Sequence, residues 1–289
     1  MRYPDLLLTV IMVMVCSCTG TEYPGPLTPE ESLASFEVEP GFRVELFAAE
    51  PHVVDPVDIE FDAFGNIYVV EMLDYPYKPE PGKARSRIKY LEDTNGDGLI
   101  DHSVIFQDSL NEATSVLPWR EGLLVCSAPD ILYLRDTNGD HKSDIREVLF
   151  TGFFANNSEA QITNLKFNVD NWIYGSNHGN PGQITYVPRP ELGEISVKGT
   201  DFRFRLDLEQ FEPASGYTQF GQAIDNWGQR FGTQNTIHLS QIVIPWRYLV
   251  RIDPEFQKAP IQNISDHDLE IFQLTPAPYW RAERTARRQ

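Results

Sequence analysis

Phe61-Asp-Ala-Phe-Gly65-Asn-Ile-Tyr-Val69 sets a tight Asp/Gly/Asn turn in front of a short apolar run. The same arrangement returns as Phe167-Asn-Val-Asp-Asn171-Trp-Ile-Tyr-Gly175, as Ile224-Asp-Asn-Trp-Gly228-Gln-Arg-Phe-Gly232 and, more weakly, as Pro118-Trp-Arg-Glu-Gly122-Leu-Leu-Val125. The turn positions 65, 122, 171 and 228 lie 57, 49 and 57 residues apart. Each copy is a strand that cannot bury both faces alone, and that spacing suits one four-stranded blade with long loops. A second repeat overlies the first. Ile88-Lys-Tyr-Leu-Glu-Asp93-Thr-Asn-Gly-Asp97 matches Ile131-Leu-Tyr-Leu-Arg-Asp136-Thr-Asn-Gly-Asp140 at an offset of 43. The pattern predicts an all-β chain folded as a β-propeller of the six-bladed type. A sandwich or jelly roll is the other all-β reading, but it gives no reason for a fixed period of similar hairpins.

Outside the repeats, short β-rich runs alternate with Gly, Asn, Asp and Pro clusters from Phe36 onward. No stretch sustains helical periodicity over three turns; a short helical turn is expected only near Pro29 to Ser35. The repeats account for four or five blades, and no closing strand is evident before the basic end Arg281–Gln289, so the expectation is a chain truncated within its ring. A solvated tail is the alternative for that end.

The chain has 289 residues, 42 acidic against 24 basic, for a net charge of −18. That charge disfavours a nonspecific grip on phosphate backbones, so nucleic acid is not expected as a partner. Leu6 to Cys16 is an apolar run broken only by Thr9, of the length of a signal-peptide core and too short to span a membrane. Small residues and cysteines follow it, and Cys18 behind Ser17 fits a bacterial lipoprotein box. An ordinary cleaved signal peptide or a buried segment are the alternatives. The expected organisation is therefore a signal peptide over 1–17, a lipoprotein tether over 18–35 and a propeller over 36–289. This implies export and lipid anchoring in the bacterial cell envelope, facing the periplasm or the surface. Once Cys18 is lipidated only Cys126 remains as a body thiol, in an apolar run where an inert buried thiol is expected. No CxxCH motif is present, so covalent haem is not expected in this chain.

Two loops carry metal-ligand spacing. In the first, Asp93, Asn95, Asp97 and Asp101 occupy positions 1, 3, 5 and 9 of an EF-hand-like calcium loop, with Gly98 at the sharp turn and the Leu99 carbonyl at position 7. In the second, Asp136, Asn138, Asp140, Lys142 and Asp144 repeat the pattern, with His141 in place of the glycine. Calcium needs six to eight hard oxygens, and this spacing curls them around one point. A solvated Asp/Asn/Gly turn without metal is the alternative. No zinc signature and no phosphate-binding glycine loop is present.

The ordered series Pro40-Gly-Phe-Arg-Val-Glu-Leu-Phe-Ala-Ala-Glu-Pro51, Asp55-Pro56, Tyr68-Val-Val-Glu-Met72, Asp74-Tyr-Pro76, Leu91 to Gly98, Ala128-Pro-Asp-Ile-Leu132, Asp170 to Gly175 and Asp201-Phe-Arg-Phe204 resembles the bacterial membrane-bound dehydrogenase domain family. Members are similar to quinoprotein glucose/sorbosone dehydrogenase propellers, which bind PQQ and calcium. The resemblance implies a sugar or alcohol substrate, a cytochrome as electron acceptor and a base that takes a hydroxyl proton. In the sugar dehydrogenases that base is a histidine ten residues before the Asp of a GPDG-like turn. Counting back from Asp170 gives Ala160, which cannot accept a proton. Glu159 beside it and His178 in the following loop are the candidate bases, each with a plain structural role as its alternative. Asn177, Asn180, Arg203, Arg205 and Arg230 are the candidates to hold the PQQ carboxylates. A non-catalytic propeller that binds glycans or a protein partner is the second functional reading, favoured by Ala160.

Overall fold

The computed structural model describes residues 27–252 and 260–266 and, singly, 268, 270, 281, 283 and 286. The stretch expected to be a signal peptide, Cys18 and most of the basic end lie outside the described residues. The chain divides into two compact units, 1–47 and 48–289. In the first, a helix over Pro29–Ala34 forms at the expected turn. Its cap is reciprocal: the Glu31 backbone N–H donates to Thr28 Oγ1 at 3.2 Å while the Thr28 N–H donates to Glu31 Oε2 at 2.9 Å. Among the described residues no helix is long and apolar enough to cross a membrane.

The regular structure described in the second unit is mainly antiparallel strands. The first sheet runs in chain order through β1 (Pro56–Phe61), β2 (Ile67–Glu71), β3 (Ser86–Glu92) and β4 (His102–Leu110). The second begins with β5 (Ser115–Trp119), β6 (Gly122–Ser127), β7 (Asp130–Arg135) and β8 (Ile145–Thr151). The third is β9 (Thr163–Phe167), β10 (Ile173–Ser176), β13 (Asp201–Arg205) and β14 (Gln210–Ala214). Between β10 and β13 the chain leaves to add β11 (Gln183–Tyr186) and β12 (Ile195–Ser196) to the outer edge of the second sheet. The fourth is β15 (Gln222–Ile224), β16 (Arg230–Gly232), β17 (Ser240–Ile242) and β18 (Ile261–Asn263).

These four meanders are propeller blades. The first strands β1, β5, β9 and β15 lie side by side without backbone pairing, and side chains join them. Asp58 Oδ2 accepts from the Val116 N–H at 3.0 Å, Ser115 Oγ accepts from the Leu165 N–H at 3.0 Å, and Asn164 Oδ1 accepts from the Gln222 N–H at 2.7 Å. Each innermost strand thus hydrogen-bonds the next through a polar side chain while the sheets pack face to face. Val70, Ile88, Phe106, Val125 and Leu132 fill the space between the first two sheets. Phe150, Phe153, Phe202, Phe204 and Phe211 do so between the second and third.

The sequence repeat is the first hairpin of every blade. Asp62 Oδ1 accepts from the Phe64 and Asn66 N–H groups at 2.8 and 2.9 Å. Asp225 Oδ1 does the same for Trp227 and Gln229 at 2.9 and 2.8 Å. Gly65, Asn171 and Gly228 take the left-handed conformation each turn needs, with φ of 87°, 63° and 81°.

A polar cleft at the entry of the innermost strands

The antiparallel order fixes which loops share an end of the propeller. The repeated turns and both acidic hairpins close the end at which β1, β5, β9 and β15 finish, whereas the loops that feed those strands gather at the other. There a cleft of about 540 Å³ opens. Asp55 and Val57 reach it from the start of β1, Met72 and Tyr75 from the loop after β2, and Thr114 from the residue before β5. Ser158, Glu159, Gln161 and Thr163 enter with β9, and Gln219 and Phe220 precede β15. All four blades contribute, so the cleft lies over the propeller axis.

Glu159 is half-buried in its wall. The Tyr75 hydroxyl donates to Glu159 Oε1 at 2.8 Å, Gln219 Nε2 donates to the Glu159 carbonyl at 3.1 Å, and the Glu159 N–H donates to Asn157 Oδ1 at 3.3 Å. The carboxylate is therefore held at a fixed place beside the Phe220 and Tyr75 rings, next to hydroxyls and amides. Such a wall offers hydrogen-bond donors, acceptors and aromatic faces to a ligand. Ala160 is buried behind it, with its N–H on the Asn157 carbonyl at 3.0 Å.

The other expected site residues are dispersed. His178 takes a left-handed φ of 51° after β10, with its N–H on the Thr218 carbonyl at 2.9 Å; its Nδ1 is buried and unpartnered, and it does not line the cleft. Asn177 is a buried backbone staple whose Nδ2 donates to the carbonyls of Asn180, Val197 and Thr200 at 2.9, 3.3 and 3.1 Å. Asn180 Nδ2 donates to the Ala160 carbonyl. Arg230 is buried, donating to Asp201 Oδ2 at 3.0 Å and the Ser215 carbonyl at 2.8 Å. Arg203 pairs with Glu212 and Asp170 and lies over the Trp172 ring at 4.1 Å. The structure brings Arg203 and Arg230 together at the Tyr174 ring, 5.6 and 4.6 Å from its centroid, in a cavity of about 190 Å³ apart from the cleft. Arg205 pairs with Asp207 at 2.6 Å and lines a third cavity. None of these six residues lines the central cleft.

The two acidic loops are chemical copies. Asp93 Oδ2 accepts from the Gly98 N–H and Asp136 Oδ2 from the His141 N–H, at 2.7 and 2.8 Å. Asp101 takes the N–H and hydroxyl of Thr94 at 2.9 and 2.8 Å, and Asp144 takes those of Thr137, both at 2.8 Å. Asn95 and Asn138 accept from Asp97 and Asp140, whose carboxylates in turn accept from the N–H groups of Leu99 and Lys142. His141 adopts the positive φ of 60° expected of a glycine and stacks on Tyr90 with centroids 3.9 Å apart. The backbone N–H groups of Gly98 and its neighbours hold Asp93 below the usual carboxylate range, and the Thr94 donors do so for Asp101. The oxygen donors are of the right type for calcium. Among the described residues, however, no three His, Cys, Asp or Glu side chains converge on a point where an ion could sit.

Sequence reasoning passed over Tyr75, Gln161 and Gln219 as site residues, although Asp55, Met72 and Tyr75 belong to the series that carried the family resemblance.

A family model described as a domain of unknown function, DUF7133, matches residues 28–288. No curated protein matches the chain significantly. Among solved structures, the holo form of a pyranose dehydrogenase PQQ domain from Coprinopsis cinerea is similar at 18% identity and a TM-score of 0.45, over 68% of this chain and 47% of that one. A structural genomics protein of unknown function from Bacteroides thetaiotaomicron is similar at 8% identity and a TM-score of 0.34, over 67% of this chain and 56% of that one. The chain spans about half the length of each.

Proposed function

Because the chain belongs to the DUF7133 family, whose description assigns no activity, we propose a function from the site itself: its central cleft recognises a hydroxyl-rich ligand, a sugar or polyol, as the substrate-binding propeller of a dehydrogenase-like protein. The observation that carries this reading is Glu159, held by Tyr75 in a cleft to which every blade contributes. A carboxylate so placed accepts a hydrogen bond from a ligand hydroxyl, and in an oxidation it is the group that takes the hydroxyl proton.

The implied cofactor fits the cleft poorly. The described residues lining it include Asp55 and Glu159 and no Lys, Arg or His, so three PQQ carboxylates find no counter-charge there. No step is therefore routed through PQQ. That same observation, with Ala160 where the sugar dehydrogenases carry their histidine, favours the second reading, a propeller that binds glycans without oxidising them. The envelope location through Cys18, calcium in the acidic hairpins and a cytochrome acceptor belong to the proposal as its biological setting; the hairpins lie at the opposite propeller end and take no part in cleft chemistry.

Titration of the chain with a panel of sugars and polyols, repeated with PQQ and an artificial electron acceptor, tests both readings. Saturable sugar binding that Glu159→Gln weakens about tenfold or more supports the cleft assignment. Turnover in the presence of PQQ selects the dehydrogenase, and binding without turnover selects the recognition module. A folded chain that binds no member of the panel refutes both.

A further inference from the structure

Beneath the cleft lies a charge that hydroxyl recognition leaves unused. Glu112, in the link from β4 to β5, is fully buried at a left-handed φ of 44°. Both its hydrogen-bond partners are neutral: the Ser158 hydroxyl donates to Oε1, and Gln161 Nε2 donates to Oε2 at 2.8 Å. Removing a carboxylate from water is strongly unfavourable unless a positive charge accompanies it, and these two donors supply none. Gln161 is only 2% exposed, and because its Nε2 is committed to Glu112 its Oε1 is left buried without a partner. An uncompensated carboxylate and an orphan acceptor thus stand behind a cleft whose described lining carries two further acids and no basic side chain.

Resting on the reading of the cleft as a sugar site, we propose that the site selects its ligand by charge and takes a sugar or amino alcohol bearing a protonated amine. Glu112 is the buried charge that sets this preference. An ammonium group supplies the missing positive charge and several N–H donors, where a neutral hydroxyl supplies one donor and a uronic acid adds repulsion. Glu112 also acts as a positioning residue. By accepting from Ser158 and Gln161 it clamps both ends of the turn that carries Glu159, so the two carboxylates keep a fixed spacing.

The test is calorimetric titration of the full chain with glucosamine, glucose, N-acetylglucosamine and glucuronate at low ionic strength. Glucosamine is expected to bind about fivefold or more tighter than glucose or the N-acetyl derivative, in which the nitrogen is an uncharged amide, and glucuronate weakest. Glu112→Gln keeps the size of the side chain and removes its charge; it is expected to cut the advantage of glucosamine over glucose about threefold or more, Asp55 and Glu159 retaining the remainder. If that variant does not fold, the wild-type comparison of glucosamine with its N-acetyl derivative decides alone. Equal affinities for those two overturn the charge selectivity and leave the sugar reading standing. A preference for glucosamine that is undiminished in Glu112→Gln overturns the role of Glu112, and absence of all binding overturns both the selectivity and the sugar reading.

Discussion

Replacing Arg230 by Met breaks the buried ion pair that joins the third blade to the fourth, along with the bonds Arg230 donates to the Ser215 carbonyl and Gln222 Oε1. Arg230 on β16 and Asp201 on β13 meet at 3.0 Å with side chains 6% and 0% exposed. Asp201 also accepts the N–H groups of Asn177 and Thr218 at 3.1 and 3.0 Å. Methionine has a similar length and no charge, so the substitution leaves a carboxylate buried with two neutral donors. Breaking a buried pair from one side costs about 3–5 kcal/mol; the two retained N–H bonds put this case near about 3 kcal/mol. For a chain of this size that lowers the melting temperature by about 6–12 °C. Burial already raises the Asp201 carboxyl above its usual 3.8, although Arg230 pulls the other way. A group raised in the folded state contributes stability that is complete below the unfolded value and lost as pH rises through the folded one. Removing the guanidinium raises Asp201 further, so the deficit of Arg230→Met is largest near neutral pH and shrinks as the solution is acidified toward 3.8. Urea unfolding followed by circular dichroism at pH 7 and pH 5 measures this, with Arg230→Met/Asp201→Asn as the control. Neutralising Asp201 in the Arg230→Met background should recover about 1 kcal/mol or more at pH 7. A single variant within about 1 kcal/mol of wild type, or strictly additive losses in the double variant, refutes the pair as the link between the blades.

Four further outcomes follow from local geometry. A Cβ on Gly175 would meet the buried Phe202 ring at 2.1 Å, so Gly175→Ala should cost about 1–3 kcal/mol in urea unfolding, and an unchanged midpoint contradicts the packing. If the acidic hairpins bind calcium, excess chelator lowers the melting temperature and Asp97→Ala abolishes that response; no change in either experiment removes calcium from the proposal. Asp93 is lowered chiefly by the Gly98 N–H, and Asp136 is lowered by the Gly139, Asn138 and His141 N–H groups against an opposing effect of burial. Their contribution is present above the unfolded value of 3.8 and lost as pH falls through the folded one, so the melting-temperature gap between wild type and Asp93→Asn/Asp136→Asn should close below pH 3.8. Burial pushes the Cys126 thiol well up, so it should resist a thiol reagent in the native protein and react once the chain is unfolded in urea.

The blade scaffold was legible because one physical demand recurs in three of the four blades. Their first hairpins need an acceptor to close the turn and a residue that tolerates positive φ, and those demands return as Asp62 with Gly65, Asp170 with Asn171 and Asp225 with Gly228. The excursion through β11 and β12 was not legible, because two short strands that pair with another blade carry no copy of the motif. Nor were the roles of the arginines. Charge and loop position alone made Arg203 and Arg230 resemble ligands for an acid, whereas Glu212 and Asp201 occupy them through register and packing. Glu159 was found through its neighbour Ala160 in a family comparison, but Tyr75, 84 residues away, joins it only once the blades are arranged.

That difference has a geometrical cause. At the turn end each blade solves the same local problem, so its residues repeat and declare themselves in the sequence. At the cleft end four dissimilar feeding loops converge on a single axis. Four identical side chains there would set like against like, four carboxylates or four hydroxyls around one ligand. The cleft instead combines Tyr75, Glu159, Gln161 and Phe220, one phenol, one acid, one amide and one ring, from segments with no common pattern. Within this chain the departures from the repeat therefore point to the chemistry. Glu112 follows the same logic, being a lone buried acid in the short link before β5, and its charge is the feature on which ligand selection is expected to turn.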